Sequence, residues 1–276
     1  MGNAAFIVWR ETIEAMLVVG ILHGWLAAQS GLVAATRRRA ALWLWGGVGA
    51  GLGLAALLAL ALLGVSAWAS DATLEWFQAG MPLVAAVLIF QMAAWMRRHG
   101  AGLKKELESG MSAAVERAHW AGMALLATLA VGREGAETVI FLYGAAGDDS
   151  AGRLLAGGAL GFFLALVAYA ALVRGARWFS WRLFFRLTEI LLLLLGGALL
   201  VTGTDKLIGL EALPTLADPL WDASGLLDDS TRFGGLLAAF TGWRSLPTGM
   251  SYLALAAWWT LAIIWVLRAK SVAVKR

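Results

Sequence analysis

Seven stretches of about twenty mostly apolar residues punctuate this chain, and they leave it few ways to fold. They run roughly over 4–28, 41–64, 80–97, 119–145, 154–173, 185–204 and 249–268. Some twenty apolar residues in helical form match the ~30 Å hydrocarbon core of a bilayer. Inside lipid every backbone N–H and C=O must be paired within its own segment, so each stretch reads as a transmembrane helix. Composition agrees. Of the 276 residues, 61% are hydrophobic and 14% charged, against about 45–50% and about 25% in soluble domains. The absence of Cys excludes a disulfide scaffold, thiolate catalysis, iron–sulfur clusters and Cys-ligated zinc. The first stretch begins beside Met1, lacks a basic leader and carries Arg10 and Glu11. It therefore reads as a retained span rather than a cleaved signal peptide.

The connecting segments set an orientation. Segments 29–40, 98–118, 174–184 and the tail after 267, with Arg97, hold 15 Lys and Arg against Glu106, Glu108 and Glu116. The opposite set holds Arg153, Lys206, Arg232 and Arg244 against ten acids, among them Asp71, Glu75, Asp148, Asp149, Asp218, Asp222, Asp228 and Asp229. Positive charge stays on the cytoplasmic side, so the N-terminus is expected outside and the C-terminus inside. The net charge of +4 is then a loop property and points to no nucleic acid. Trp43, Trp45, Trp95, Trp120, Trp178 and Trp181 suit the inner interface, and Trp68, Trp76 and Trp221 the outer one. The acid-rich outer face would concentrate cations, or it simply marks the exported side.

Seven ionisable residues fall within spans: Arg10, Glu11, Glu14, Arg133, Glu134, Glu137 and Glu189. Facing lipid, they would together cost on the order of 20 kcal/mol. They must face the bundle interior and find partners there. Six of them form one pattern written twice, Arg10-Glu11-Thr12-Ile13-Glu14 and Arg133-Glu134-Gly135-Ala136-Glu137. Helical spacing places Glu11, Glu14 and Arg10 on neighbouring positions, and likewise Glu134, Glu137 and Arg133. Each Arg can hold one carboxylate ionised while the other stays available.

The copies lie 123 residues apart, three spans from one to the next. Spans 1–3 and 4–6 then read as two repeats, and an odd number of spans inverts the second. Inverted repeats mark transporters, with the site near the midplane where the repeats meet. The fold expected is an all-α polytopic membrane protein forming a single domain over 1–276. It has a three-helix repeat over 1–97, a second over 119–204, an extracytoplasmic loop over 205–248 and a seventh helix over 249–268. Four carboxylates and two guanidiniums sum to −2, and such a surplus in a dry site calls for a cation. Oxygen ligation without Cys suits a hard ion: iron or manganese, with magnesium and calcium behind. His23, His99 and His119 are read as non-ligands.

Two R-E-x-x-E motifs on the first and fourth of seven spans resemble the oxidase-dependent high-affinity iron permeases, fungal Ftr-type and bacterial EfeU-type. Glu75-Trp76-Phe77, Trp95-Met96-Arg97, Leu103-Lys104-Lys105, the stretch from Pro219 to Ser230, and Phe240-Thr241-Gly242-Trp243 are similar to family patterns too. The resemblance implies uptake of iron, Fe(III) or Fe(II), across the cytoplasmic membrane, with Glu11, Glu14, Glu134 and Glu137 binding the ion. It also implies a separate extracytoplasmic protein that presents iron: a ferroxidase, or a haem peroxidase and binding protein. It brings no organic cofactor and no enzymatic activity of the chain itself. Where the family usually has Gly at the third motif position, Gly135 keeps it and Thr12 departs.

Other carboxylates are accessory candidates: Asp71, Glu75, Glu189, Asp222, Asp228 and Asp229. Glu189 is an extra ligand, a proton carrier or a partner of Arg186. The spacings Gly20/Gly24, Gly49/Gly53 and Gly157/Gly161 permit close helix packing, and Gly132 and Gly135 either loosen the motif helix or pack it. Two other readings use the same carboxylates. One is a less selective divalent-cation or proton channel. The other is an intramembrane di-iron enzyme, which the lack of the usual E-x-x-H disfavours.

Overall fold

Long runs of Leu, Ala, Val and Gly, broken by few turn residues, fold as helices in the computed structural model, which describes residues 1–29, 33–99, 109–112, 120–146, 150–175 and 181–274. In chain order the helices are α1 (Gly2–Ala28), α2 (Ala34–Trp68), α3 (Asp71–His99), α4 (Trp120–Ala146), α5 (Ala151–Gly175), α6 (Trp181–Gly209), α7 (Arg232–Thr241) and α8 (Gly249–Val274). A further helical turn covers 109–112, and no strand occurs among the described residues. Among the described residues, five helical segments are long and apolar enough to cross a membrane: Ala34–Trp68, Asp71–Ala94, Ala151–Ala171, Arg186–Gly209 and Gly249–Arg268. The motif helices α1 and α4 have 27 residues each, about 40 Å, and carry their charges near mid-length.

Lipid offers no hydrophobic drive between helices, so close van der Waals packing must hold them together. Here glycine supplies it. On α2, a Cβ at Gly47 would overlap the Ala124 carbonyl, and one at Gly51 would lie 2.8 Å from the Gly132 nitrogen and 3.0 Å from the Thr128 oxygen. On α5, a Cβ at Gly157 would lie 2.7 Å from the Met1 oxygen, and one at Gly161 would overlap the Ala5 carbonyl. The contacts advance together, so α2 runs parallel to α4 and α5 parallel to α1. The partners keep a fixed spacing. Ala124 and Thr128 follow Met1 and Ala5 by 123 residues, as the motifs do, and Gly157 and Gly161 follow Gly47 and Gly51 by 110.

The remaining pairs run antiparallel. Gly196 of α6 meets Ile89 of α3, whereas Gly203 meets Leu83 and Ala79. Ile7 of α1 shares a buried cluster with Phe141 of α4. Leu22 and Leu26 share another with Met123 and Ala127. α1 and α4 therefore cross head to tail. α8 packs on α6, where Trp258 Nε1 donates to the Leu193 carbonyl at 3.0 Å.

Several boundaries differ from the sequence expectation. α2 starts at Ala34 rather than near 41, so Arg37, Arg38 and Arg39 are helical and not in a connecting segment. α3 starts at Asp71 rather than near 80, so Asp71 and Glu75 sit on its first two turns and not in a loop. Hydropathy stops where the apolar run stops, while backbone pairing continues into polar turns. α6 runs on to Gly209. The 205–248 segment, expected as plain loop, contains α7, capped by Thr231 and closed by Gly242 in the left-handed region. That segment is tied to the start of α8: Leu220 N donates to Pro247 O at 2.7 Å, Ala223 N to Ser245 O at 2.9 Å, and Gly249 N to Ala217 O at 2.8 Å. Of the basic side, Lys104, Lys105, Glu106, Glu108, Glu116, Arg117, His119, Arg177 and Trp178 lie outside the described residues, as do Asp148 and Asp149 opposite.

Candidate metal centre

The crossing of α1 and α4 brings the two motifs together between the two buried clusters. A carboxylate oxygen from each of Glu11, Glu134 and Glu137 lies within 4.8 Å of the other two. Oxygens sharing one first-row metal at about 2.0–2.2 Å sit within about 4.4 Å of each other. The three oxygens are thus near enough to converge on one ion with a modest side-chain adjustment. Glu11, Glu134 and Glu137 each keep a buried Oε2 without a hydrogen-bond partner among the described residues. Buried carboxylate oxygens in that condition are costly unless a cation takes them.

The two arginines serve the site unequally. Arg10 is 1% exposed. Its Nη1 donates to Glu11, its Nη2 pairs with Glu14 Oε1 at 2.6 Å, and Nη2 also donates to Met92 Sδ at 3.1 Å. Arg133 is 36% exposed and pairs through Nε with Glu137 Oε1 at 2.8 Å. Four carboxylates and two guanidiniums leave two negative charges in excess, so the centre can neutralise a divalent cation. Glu14, held by Arg10, stands outside the triad of close oxygens.

The motif glycine has a packing reason. A Cβ at Gly135 would lie 2.5 Å from Ala55 Cβ of α2, so Gly135 lets α2 approach the motif helix. Gly132 faces Gly51 in the same seam. The Gly157/Gly161 spacing is used as expected. Gly24, Gly49 and Gly53 face nothing within 4 Å, and α2 instead uses Gly47 and Gly51. The sequence offered overlapping glycine pairs on α2 and no means of choosing the face that meets α4.

The other candidates lie apart from the triad. Asp71 and Glu75 are exposed on α3. Glu189 is half-buried on α6 and Arg186 exposed. Asp222 accepts from Ser224 N at 2.9 Å and Ser224 Oγ at 2.6 Å. Asp228 accepts from Ser230 N at 2.8 Å, and Asp229 accepts from Ser245 Oγ. These hydrogen bonds hold the carboxyls of Asp222 and Asp228 below the usual range. His23 is exposed and lies 6.0 Å from the Trp45 ring. Sequence reasoning missed Met92. A methionine in an apolar run carries no signal that its sulfur accepts from a buried guanidinium on another helix.

With this geometry in view, the comparisons with known proteins are specific. Residues 1–273 match the family described as the iron permease FTR1 family. The ferrous iron permease EfeU of Escherichia coli strain CFT073 is 27% identical over 255 residues, covering 88% of this chain and 86% of that protein. The EfeU of Shigella sonnei gives the same identity and coverage. That of Yersinia pestis is 26% identical over 251 residues, covering 88% and 84%. No solved structure matches. A helical chain with five spans fit for a bilayer, paired R-E-x-x-E motifs and a match along nearly its whole length is a multi-pass membrane protein, and it belongs to the iron permease FTR1 family.

Proposed function

We propose that the chain is a ferrous-iron permease of the cytoplasmic membrane, and that Glu11, Glu134 and Glu137 form the ion's passage site with Glu14 in reserve on Arg10. The observation that carries this reading is the triad itself: three carboxylates from two antiparallel helices, with buried oxygens unpartnered among the described residues. The ferrous state follows the relatives, which are named ferrous iron permeases. In passage, iron exchanges water for the three carboxylates, and its charge offsets the two-unit negative excess. Arg10 and Arg133 hold Glu14 and Glu137 in place when the ion is gone. A separate extracytoplasmic protein presents the iron.

In this reading α1 to α6 and α8 each cross the bilayer, N-terminus out and C-terminus in. Helices α1–α3 and α4–α6 are inverted repeats. Three features support it: the antiparallel α1–α4 pair, the parallel α1–α5 and α2–α4 pairs, and the shared 123-residue spacing of motifs and glycine-packed partners. Two repeats related this way can exchange their packing to open the site to either side.

The test is metal flux into liposomes holding the purified protein, with ferrous iron under reductant and with manganese, magnesium and calcium. Ferrous flux above the others is expected. It should fall tenfold or more in Glu11→Gln, Glu134→Gln and Glu137→Gln, because losing one charged ligand costs at least about 1.4 kcal/mol, a factor of ten. Equal flux of all four ions overturns the selectivity and leaves a general cation channel. Full flux in the three variants overturns the site.

A further inference from the structure

We infer that Met92 of α3 is a positioning residue that aims Nη2 of Arg10 at Glu14 and so keeps that nitrogen off the carboxylate oxygens left for the ion, while Nη1 stays on Glu11; this rests on the reading above.

Arg10 is the most deeply buried charge of the centre, and Met92 is 2% exposed. The Nη2 nitrogen touches both Glu14 Oε1, at 2.6 Å, and Met92 Sδ, at 3.1 Å. The two acceptors fix the rotation of the guanidinium plane, since one nitrogen must serve both. Through Met92, α3 reaches this group.

The choice of acceptor has a chemical reason. A carboxylate at position 92 would add a fifth negative charge and a competing ligand. An aliphatic side chain would leave an N–H of a buried cation without that acceptor. A thioether is a weak, neutral acceptor, and methionine is soft and adaptable in cores. It orients Arg10 without competing for a hard cation, which prefers oxygen.

The consequence is a specific failure. Without the sulfur, Nη2 can turn from Glu14 toward the other carboxylate oxygens nearby. Glu11 is already bonded to Nη1, and Glu11 Oε2 and Glu134 Oε2 are unpartnered among the described residues. A guanidinium placed there competes with the ion. Affinity falls, while turnover of the loaded protein is less affected. In the second motif Arg133 is 36% exposed and bonded to Glu137.

The experiment compares wild type, Met92→Leu, Met92→Gln and Glu134→Gln in the same liposomes, with ferrous iron under reductant, reading KM and maximal rate separately. Binding of ferrous iron to each purified protein in detergent is read alongside. Leu keeps the volume and removes the acceptor, and such swaps are well tolerated in cores. Gln restores a neutral acceptor at similar length. Expected is a KM raised on the order of tenfold in Met92→Leu, the scale of a hydrogen bond to a charged group, with maximal rate within about twofold and Met92→Gln recovering most of the affinity. An unchanged KM in Met92→Leu, or Met92→Gln no better than Met92→Leu, overturns the inference. If Glu134→Gln transports and binds like wild type, the passage site itself has failed. If Glu134→Gln is defective and Met92→Leu is not, only the role of Met92 has failed.

Discussion

Gly161 of α5 lies directly on the backbone of Ala5 of α1, with no room for a Cβ between them. The same seam recurs between Gly51 of α2 and Thr128 of α4. Helices in lipid are held by contact and not by expulsion of water, so these points of closest approach carry much of the assembly. They also fix the position of each motif helix, because Ala5 and Thr128 each precede the motif arginine by five residues.

Substituting Gly161 or Gly51 by Val should therefore lower the thermal stability of the detergent-solubilised protein and its yield from the membrane. The clash is with backbone, and overpacking of this kind costs about 1–3 kcal/mol. Gly49→Val and Gly53→Val meet nothing within 4 Å and should leave stability and yield near wild type. Fluorescence-detected thermal melts of the four variants check this. Equal melting points would mean that the seam does not hold the helices.

The arginines should separate by burial. Arg10→Gln strands Glu11 and Glu14 in a dry environment, and removing one partner of a buried pair costs about 3–5 kcal/mol. This variant is expected to accumulate poorly. Arg133 is 36% exposed and pairs with Glu137, so Arg133→Gln should insert and accumulate normally while its uptake falls. Quantitative blots of membranes beside uptake assays decide the point. The reverse order of yields would mean that the crossing point is buried the other way.

Much of this was legible in the sequence, because it rests on charge and on apolar length. Charges inside apolar runs cannot face lipid, so Arg10, Glu11, Arg133 and Glu134 announced an interior site. The 123-residue spacing announced the pairing of α1 with α4. Which carboxylates meet was not legible. Arg10 holds both Glu11 and Glu14, yet only Glu11 joins Glu134 and Glu137, a choice made by side-chain geometry across the crossing. Nor was the start of α3 legible, since Asp71 and Glu75 are helical by backbone pairing and polar by sequence. The glycine face of α2 was ambiguous for a third reason: Gly47/Gly51 and Gly49/Gly53 share one spacing and differ only in the face they present.

The loop before α8 should resist acid. Asp222 and Asp228 have carboxyls held low by hydrogen bonds from Ser224 and Ser230. A lowered folded value means their contribution to loop order is present above the ordinary aspartate value and is lost as pH falls through the lowered one. Between pH 7 and about 5, emission from Trp221 and Trp243 should stay constant, with a change only below the usual aspartate range. Asp222→Asn with Asp228→Asn should abolish that acid transition. A transition near pH 6 in wild type would show that other groups govern the loop.

The same hydrogen bonds bear on how iron reaches the centre. Four of the acids that the proposed orientation places outside have partners of their own. Asp222 and Asp228 close turns on the serines that follow them, Asp229 accepts from Ser245, and Asp205 pairs with Arg244 at 3.1 Å and accepts from Ser251. Asp71 and Glu75 stand exposed on the first two turns of α3. If the outer acids gather cations, the effect is a raised local concentration and a faster on-rate, and it should come mostly from these two. Asp71→Asn with Glu75→Gln should then raise the apparent KM for ferrous iron a few-fold at low salt and leave the maximal rate nearly intact. The difference should shrink at high salt, where exposed charges are screened beyond roughly 3–10 Å. Neutralising Asp222, Asp228 and Asp229 together should alter loop order more than KM. A fall in maximal rate for Glu75→Gln alone, at any salt, would instead make Glu75 a direct ligand on the path to Glu11, Glu134 and Glu137. An unchanged KM in the Asp71 and Glu75 double variant would reduce the outer acids to markers of the exported side.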